Sequence, residues 1–143
     1  MARHRARQQA LQMLFQWDAR RTPIEEILRG YYGSLLVSED SVALPRPDAF
    51  AEKLFRGVVE DQAEVDERIA RNAEHWKMPR MPAVDRNILR LAVHEMLRTD
   101  TPPAVIIDEA LELARRFAGE ESVHFVNGVL DAVRRELTSV EVK

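Results

Sequence analysis

The stretch Val84-Asp85-Arg86-Asn87-Ile88-Leu89-Arg90-Leu91-Ala92-Val93-His94-Glu95-Met96 decides the fold class of this 143-residue chain. Val84, Ile88, Leu91, Ala92 and Met96 recur at helical spacing and form one apolar stripe. The same periodicity continues outward almost throughout, and no segment alternates long enough to read as a strand. Pro79 and Pro82 interrupt the pattern upstream, and Pro102-Pro103 restarts it downstream. A sixth helix then carries Val105, Ile106, Ala110, Leu113 and Phe117, with Gly119 placed to close it. Ser122 fits the cap of a seventh, which turns Phe125, Val126, Val129, Leu130 and Val133 inward and is expected to fray after Leu137.

Toward the N-terminus, Asp61 with Glu64 three residues on reads as a capping box. It opens a fourth helix that buries Val65 and Ile69 and runs to about His75. A third helix starts near Asp48 and turns Phe50, Leu54, Phe55 and Val58 inward. Gly57 inside it costs about 1 kcal/mol against alanine, which points to a close helix crossing. Ser38 to Pro47 reads as a loop. Before it, Thr22-Pro23-Ile24-Glu25 sets an N-cap, a first-position proline and the far side of a second capping box. That second helix buries Ile24, Ile27, Leu28, Tyr31 and Leu35. The first helix, about residues 3–20, places Ala6, Ala10, Leu14 and Trp17 on one face with Leu11 and Met13 flanking. The expected fold is all-α: a three-helix group over 1–60 and a four-helix group over 61–143, together one compact domain.

Hydrophobic residues at 45% and charged residues at 31% suit a soluble globular chain, long enough to bury roughly 70% of its unfolded surface. The absence of cysteine excludes a disulfide framework, a thiolate zinc site and a cysteine nucleophile, and fits the cytoplasm. No apolar run reaches the ~20 residues of a membrane span. The basic N-terminus lacks the apolar segment of a secretory signal. Residues 1–21 hold five arginines and one acid, a net +4. The remainder carries 16 basic and 23 acidic residues, a net −7. An acidic body with a basic end suggests an arm that meets something anionic, although a solvated helix start would look the same.

Catalytic patterns are missing. There is no Gly-rich phosphate loop and no nucleophile elbow. His94-Glu95 begins an HExxH string, but Arg98 stands where the second histidine belongs. Asp108, Glu109 and Glu112 could pair a turn apart, yet nothing accompanies them that would make a general acid–base pair. No enzyme, metal or cofactor is expected, and the weight falls on a binding module. Arg3 and Arg7 share one side of the first helix, while Arg5 projects beside Gln8 and Gln12, and Phe15 borders the apolar stripe. Cations, amides and an edge aromatic are what single-stranded RNA requires: phosphate neutralisation and base stacking. Taken singly, Phe15 could be peripheral core and the glutamines an ordinary wet face.

Several stretches carry a resemblance: Arg5-Ala6-Arg7 leading to Ala10, Leu14, Phe15 and Trp17; Phe50 to Leu54 to Gly57-Val58; Asp85 to Ala92; Ile107-Asp108-Glu109-Ala110 followed by Leu113-Ala114; and Phe125-Val126-Asn127-Gly128-Val129-Leu130-Asp131. Asn-Gly inside a helical apolar pattern is locally unfavourable, which makes the last the most specific. Over nearly its whole length the chain resembles the NusB family of bacterial transcription antitermination factors. The resemblance implies two packed helical subdomains and no enzymatic activity. It implies binding of the boxA element of nascent ribosomal RNA leaders together with NusE, a small-subunit ribosomal protein, within the transcription elongation complex. It also admits a homodimer of the free chain. By the same resemblance, Arg3, Arg5 and Arg7 contact RNA, with Gln8 and Gln12 beside them. Phe15 stands where tyrosine is common, so stacking is kept and a hydroxyl lost. Phe125 is a further RNA candidate, with core packing as its alternative. The NusE face is expected at the turn from Trp76 through Arg80 into Asp85 and Arg86, with Trp76 alternatively a wedge between subdomains. His94 replaces a frequent tyrosine and reads as a surface change. Two other readings compete: the helical domain that precedes the catalytic domain of certain RNA methyltransferases, although this sequence ends at Lys143, and a helical adaptor without RNA affinity.

Overall fold

The computed structural model describes residues 2–37, 49–73 and 76–142. Among them are seven α-helices, one 3-10 turn and no strand. The helices are α1 (Ala2–Arg20), α2 (Ile24–Val37), α3 (Ala49–Glu60), α4 (Gln62–Asn72), α5 (Ala83–Arg98), α6 (Pro103–Phe117) and α7 (Glu120–Val142), and the 3-10 turn, Met78–Arg80, precedes α5. The expected Ser38–Pro47 loop, the Asp48 start, His75 and the side chains of Tyr31 and Leu35 lie outside the described residues.

The opening stretch forms α5, but as more than an amphipathic stripe. It packs against α1, α3, α4, α6 and α7. Every residue from Asn87 through Glu95 is buried. A helix covered all round is normally apolar. Here Asp85, Asn87, Arg90, His94 and Glu95 are buried with Ile88, Leu89, Leu91, Ala92 and Val93. Each polar group must therefore find its partner inside the molecule. Around α5 one contiguous core draws on all seven helices, from Ala6, Met13 and Leu14 in α1 to Val126, Leu130 and Val133 in α7. Leu11 and Met13 lie fully inside it rather than flanking it.

Gly57 makes the expected close crossing. A Cβ added there would sit 2.5 Å from both Cε1 and Nε2 of His94 on α5. Imidazole and glycine therefore fill one space, and His94 is buried, not the surface change expected from sequence. Gly57→Ala should lower unfolding free energy by about 1–3 kcal/mol despite alanine's better helix propensity. In a His94→Ala background the same change should cost much less, which urea denaturation of the four variants in a cycle will check.

Several expected boundaries differ. Asp61 precedes α4 but makes no capping hydrogen bond. Its carboxylate instead accepts from Arg98 Nε at 3.0 Å and lies 3.0 Å from His94 Nδ1. Glu64, the other half of that expected box, accepts from Arg98 as well. The helix stops at Asn72, short of His75. Asn72 caps the Arg68 carbonyl and reaches Glu136 on α7. Pro23 stands just before α2, its carbonyl accepting from Ile27, one position earlier in the helix frame than expected. Val105 and Phe117 are exposed, because Ile106, Ile107, Ala110, Leu113 and Ala114 form the buried stripe of α6. The guanidinium of Arg116 covers the Phe117 ring instead.

Gly119 closes α6 as expected. Its φ of 142° is open to glycine, and its N–H donates to the Ala114 carbonyl. Its own carbonyl accepts from Val123, so α7 starts at Glu120, before the expected cap. Ser122 is inside the helix, and its hydroxyl donates to Asp85 at 2.8 Å. At the far end α7 continues to Val142 rather than fraying after Leu137, since no glycine or proline stops it.

Candidate nucleic-acid interface

Helical geometry sorts the basic end of α1 into two populations. Arg5, Gln8, Gln12 and Phe15 follow one line on its outer side. Arg5 and Gln12 are exposed, and Phe15 is 44% exposed, too open for a core residue. The Arg5 side chain has no hydrogen bond, ion pair or ring contact among the described residues. Gln8 is half-buried, 3.0 Å from His4 Nε2, and His4 Nδ1 lies 2.7 Å from Glu109 on α6. The consistent tautomer carries its proton on Nδ1, donating to Glu109 and accepting from the Gln8 amide. The chain thus anchors the start of α1 to α6 while leaving Arg5 outward.

Arg3 and Arg7 lie on the other line. Both guanidiniums face the Phe50 ring, at 5.0 and 5.7 Å from its centroid. Arg3 remains exposed. Arg7 is only 4% exposed, and its Nε and one terminal nitrogen each donate to Glu95 at 2.8 Å. Hydrogen bonding from Glu95 outweighs burial and raises its pKa further. Arg7 is therefore a core ion-pair member and not part of a solvated arm, because it falls on the side of α1 that carries Ala10 and Leu14.

The second expected cluster also divides. Asp85 is buried, held by Ser122, and offers no charge to a partner. Arg86 is engaged on every side. Its Nε and one terminal nitrogen donate to Asp18 on α1, and the other donates to the Met78 and Met81 carbonyls at 3.0 and 2.9 Å. Asp18 also accepts from Arg90 at 2.9 Å and from Asn87 at 3.2 Å, and Arg90 forks onto Asp66 of α4. Burial alone would raise the Asp18 pKa, but hydrogen bonds from Arg90 and Arg86 outweigh it and hold the carboxyl below its ordinary value. This hub joins α1, α4, α5 and the 3-10 turn, and no apolar periodicity in the sequence signals it. Trp76 and Arg80 stay exposed. Trp76 meets Phe125 of α7 edge to face, centroids 6.2 Å apart and planes at 69°. Phe125 is half-buried against the core.

Between α3 and α5 lies an open cleft of about 570 Å³ whose floor is Gly57 and His94. Burial pushes the His94 pKa down against the pull of Asp61, so the imidazole is neutral near pH 7. Among the described residues no cluster of His, Asp or Glu could hold a metal ion. No helix of the described residues is long and apolar enough to cross a membrane.

The geometry can be set beside known proteins. The transcription antitermination protein NusB of Solibacter usitatus is 63% identical over 136 residues, covering 95% of this chain and 90% of that protein. The solved structure of T. maritima NusB superposes with a TM-score of 0.79 at 38% identity, covering 94% of this chain and 91% of that one. A structure of antitermination factors NusB and NusE in complex with double-stranded RNA matches at TM-score 0.75 and 30% identity, covering 95% of this chain and 99% of that one. The NusB family model matches residues 4–135, from His4 beside the free Arg5 to Arg135 on α7, and the chain belongs to that family.

Proposed function

We propose that the protein is a transcription antitermination factor that binds boxA-type single-stranded RNA with NusE and acts, without catalysis, within the elongation complex in the cytoplasm. The observation that carries this reading is the likeness to a relative solved together with NusE and double-stranded RNA. The outer line of α1 supports it chemically. Arg5 is uncommitted, Gln12 is exposed, and the open ring of Phe15 is available to stack. Arg3 adds a second exposed cation, whereas Arg7 serves through the fold. Residues 1–60 and 61–143 act as two subdomains in this reading, the first carrying the RNA track. A partner cannot use Asp85 or Arg86, whose groups are taken up internally. A basic partner would instead meet exposed acids of the second subdomain, such as Asp108 and Glu112 of α6.

The test is the salt dependence of RNA binding. Arg3→Ala and Arg5→Ala should each flatten the log–log slope by about 0.7 unit and weaken every RNA sequence alike. Their thermal unfolding should match that of the parent, since neither side chain is buried. Unchanged affinity and slope in the double variant would remove α1 from the RNA site. Sedimentation of the free chain in the same buffer tests for a homodimer.

A further inference from the structure

We infer that Glu109, His4 and Gln8 form a relay that sets what Gln8 offers to RNA: an acceptor when His4 is neutral, a donor beside an added positive charge when His4 is protonated. The inference rests on the proposed RNA-binding function and adds a specificity-determining residue to that site. His4 acts through Gln8 and is a positioning residue.

Both ring nitrogens of His4 are engaged. Nδ1 lies 2.7 Å from a Glu109 oxygen on α6, and Nε2 lies 3.0 Å from the Gln8 amide nitrogen on the outer line of α1. All three residues are half-buried, so protons from solvent reach the ring. With the ring neutral, Nδ1–H donates to Glu109 and Nε2 accepts from the Gln8 amide. The Gln8 oxygen then has no partner among the described residues and is left for an outside donor. A proton taken from solvent occupies Nε2, which can no longer accept. The Gln8 amide must turn over so that its oxygen accepts from Nε2–H, and its two N–H groups take the place the oxygen held. Phosphate oxygens only accept, so the added proton converts Gln8 from a group that opposes a phosphate into one that donates to it. Nδ1–H keeps Glu109 in both states, and the ring stays in place.

Histidine is the side chain whose ordinary titration falls between about pH 5 and 8. Glu109 faces His4 from α6 and also acts on Arg7. Glu95 of α5 is bound to Arg7. On α1 itself Arg3 and Arg5 flank His4 in sequence, and both are exposed. From α3 comes the Phe50 ring, under Arg3 and Arg7, with exposed Lys53 three residues on. RNA phosphates drawn to Arg3 and Arg5 would bring negative charge beside the ring and so favour its proton. Linkage then requires proton uptake when RNA binds, and tighter RNA binding as pH falls.

The experiment titrates a short A/U-rich single-stranded oligoribonucleotide into the full chain at about pH 8 and about pH 6, in about 0.1 M salt. Affinity should rise about tenfold at the lower pH, from the added charge and the new donor together. The log–log salt slope should be steeper there by about 0.7 unit. His4→Gln should remove both changes, and His4→Lys, charged throughout, should show the steeper slope at both pH values. Gln8→Ala should keep the slope change but lose the donor, cutting the gain to about fourfold. Calorimetry in buffers of different ionisation heat should show net proton uptake by the parent chain, a readout that needs no variant. RNA binding that depends on Arg3 and Arg5 but not on pH would overturn this inference while the proposed function stands. So would a gain that survives His4→Gln, which would belong to another group such as exposed His124. An undiminished gain in Gln8→Ala would overturn the relay. Absence of RNA binding at either pH would overturn both the inference and the proposed function.

Discussion

Replacing Arg7 with alanine is expected to destabilise the fold by about 3–5 kcal/mol, the cost of leaving one member of a buried ion pair without its partner. Arg7 and Glu95 are almost fully buried and joined through two hydrogen bonds. Truncation leaves the Glu95 carboxylate inside the crossing of α1 and α5 with no compensating charge. Urea denaturation followed by circular dichroism measures the loss directly. Arg5→Ala, two residues away, should lie within about 0.5 kcal/mol of the parent. The double variant Arg7→Met/Glu95→Leu should recover most of the stability, because well-packed apolar groups can replace a buried pair with little penalty. RNA binding by folded Arg7→Met/Glu95→Leu should approach that of the parent. A large loss of affinity there would mean that Arg7 touches RNA after all.

Asp18→Ala should cost about 3 kcal/mol, the low end for a broken buried pair. Arg90 keeps Asp66 and Arg86 keeps two carbonyls, but the shared acceptor of three side chains is gone. The pH dependence has a definite sign. The folded carboxyl titrates below its unfolded value of 3.8. Its stabilisation is therefore complete above that pH and is lost as pH falls through the lower folded pKa. In Asp18→Asn this part of the acid destabilisation should be absent, leaving a shallower fall in stability below about pH 4. An unchanged acid slope would mean that the hub does not hold Asp18 charged.

The helices were legible because burial stripes repeat at 3.6 residues, and Gly57 and Gly119 could be read because glycine costs too much in a helix without a reason. The capping motifs at Asp61 and Ser122 do not cap, for one shared cause. A cap contributes about 1 kcal/mol, and tertiary partners, His94 with Arg98 for one and Asp85 for the other, claimed the side chains instead. The buried position of Arg7 is legible in the sequence, since residues seven apart share a helix face and Leu14 is buried. An arginine on an apolar face is a signal for a buried carboxylate. The second half of α5 supplies it as Glu95, which periodicity alone could not match to Arg7 across 88 residues. An apolar stripe alone leaves one side of α5 wet and so puts Asp85, Arg86 and His94 at the surface, whereas five helices cover it. The pairing of Trp76 with Phe125 depends on how the chain before α5 meets α7, a long-range contact that no local pattern encodes.

In the proposed function RNA and NusE bind this protein together. An acidic body of net −7 opposes the RNA drawn by a basic end of net +4. A basic partner on the acidic subdomain would cancel that opposition, and the coupling must be reciprocal. Calorimetric titration of boxA-type RNA into the protein, with and without saturating NusE, measures it. RNA binding should be tighter with NusE by about 1–3 kcal/mol, and NusE should gain the same when RNA is present. Equal RNA affinity in the two titrations would contradict it.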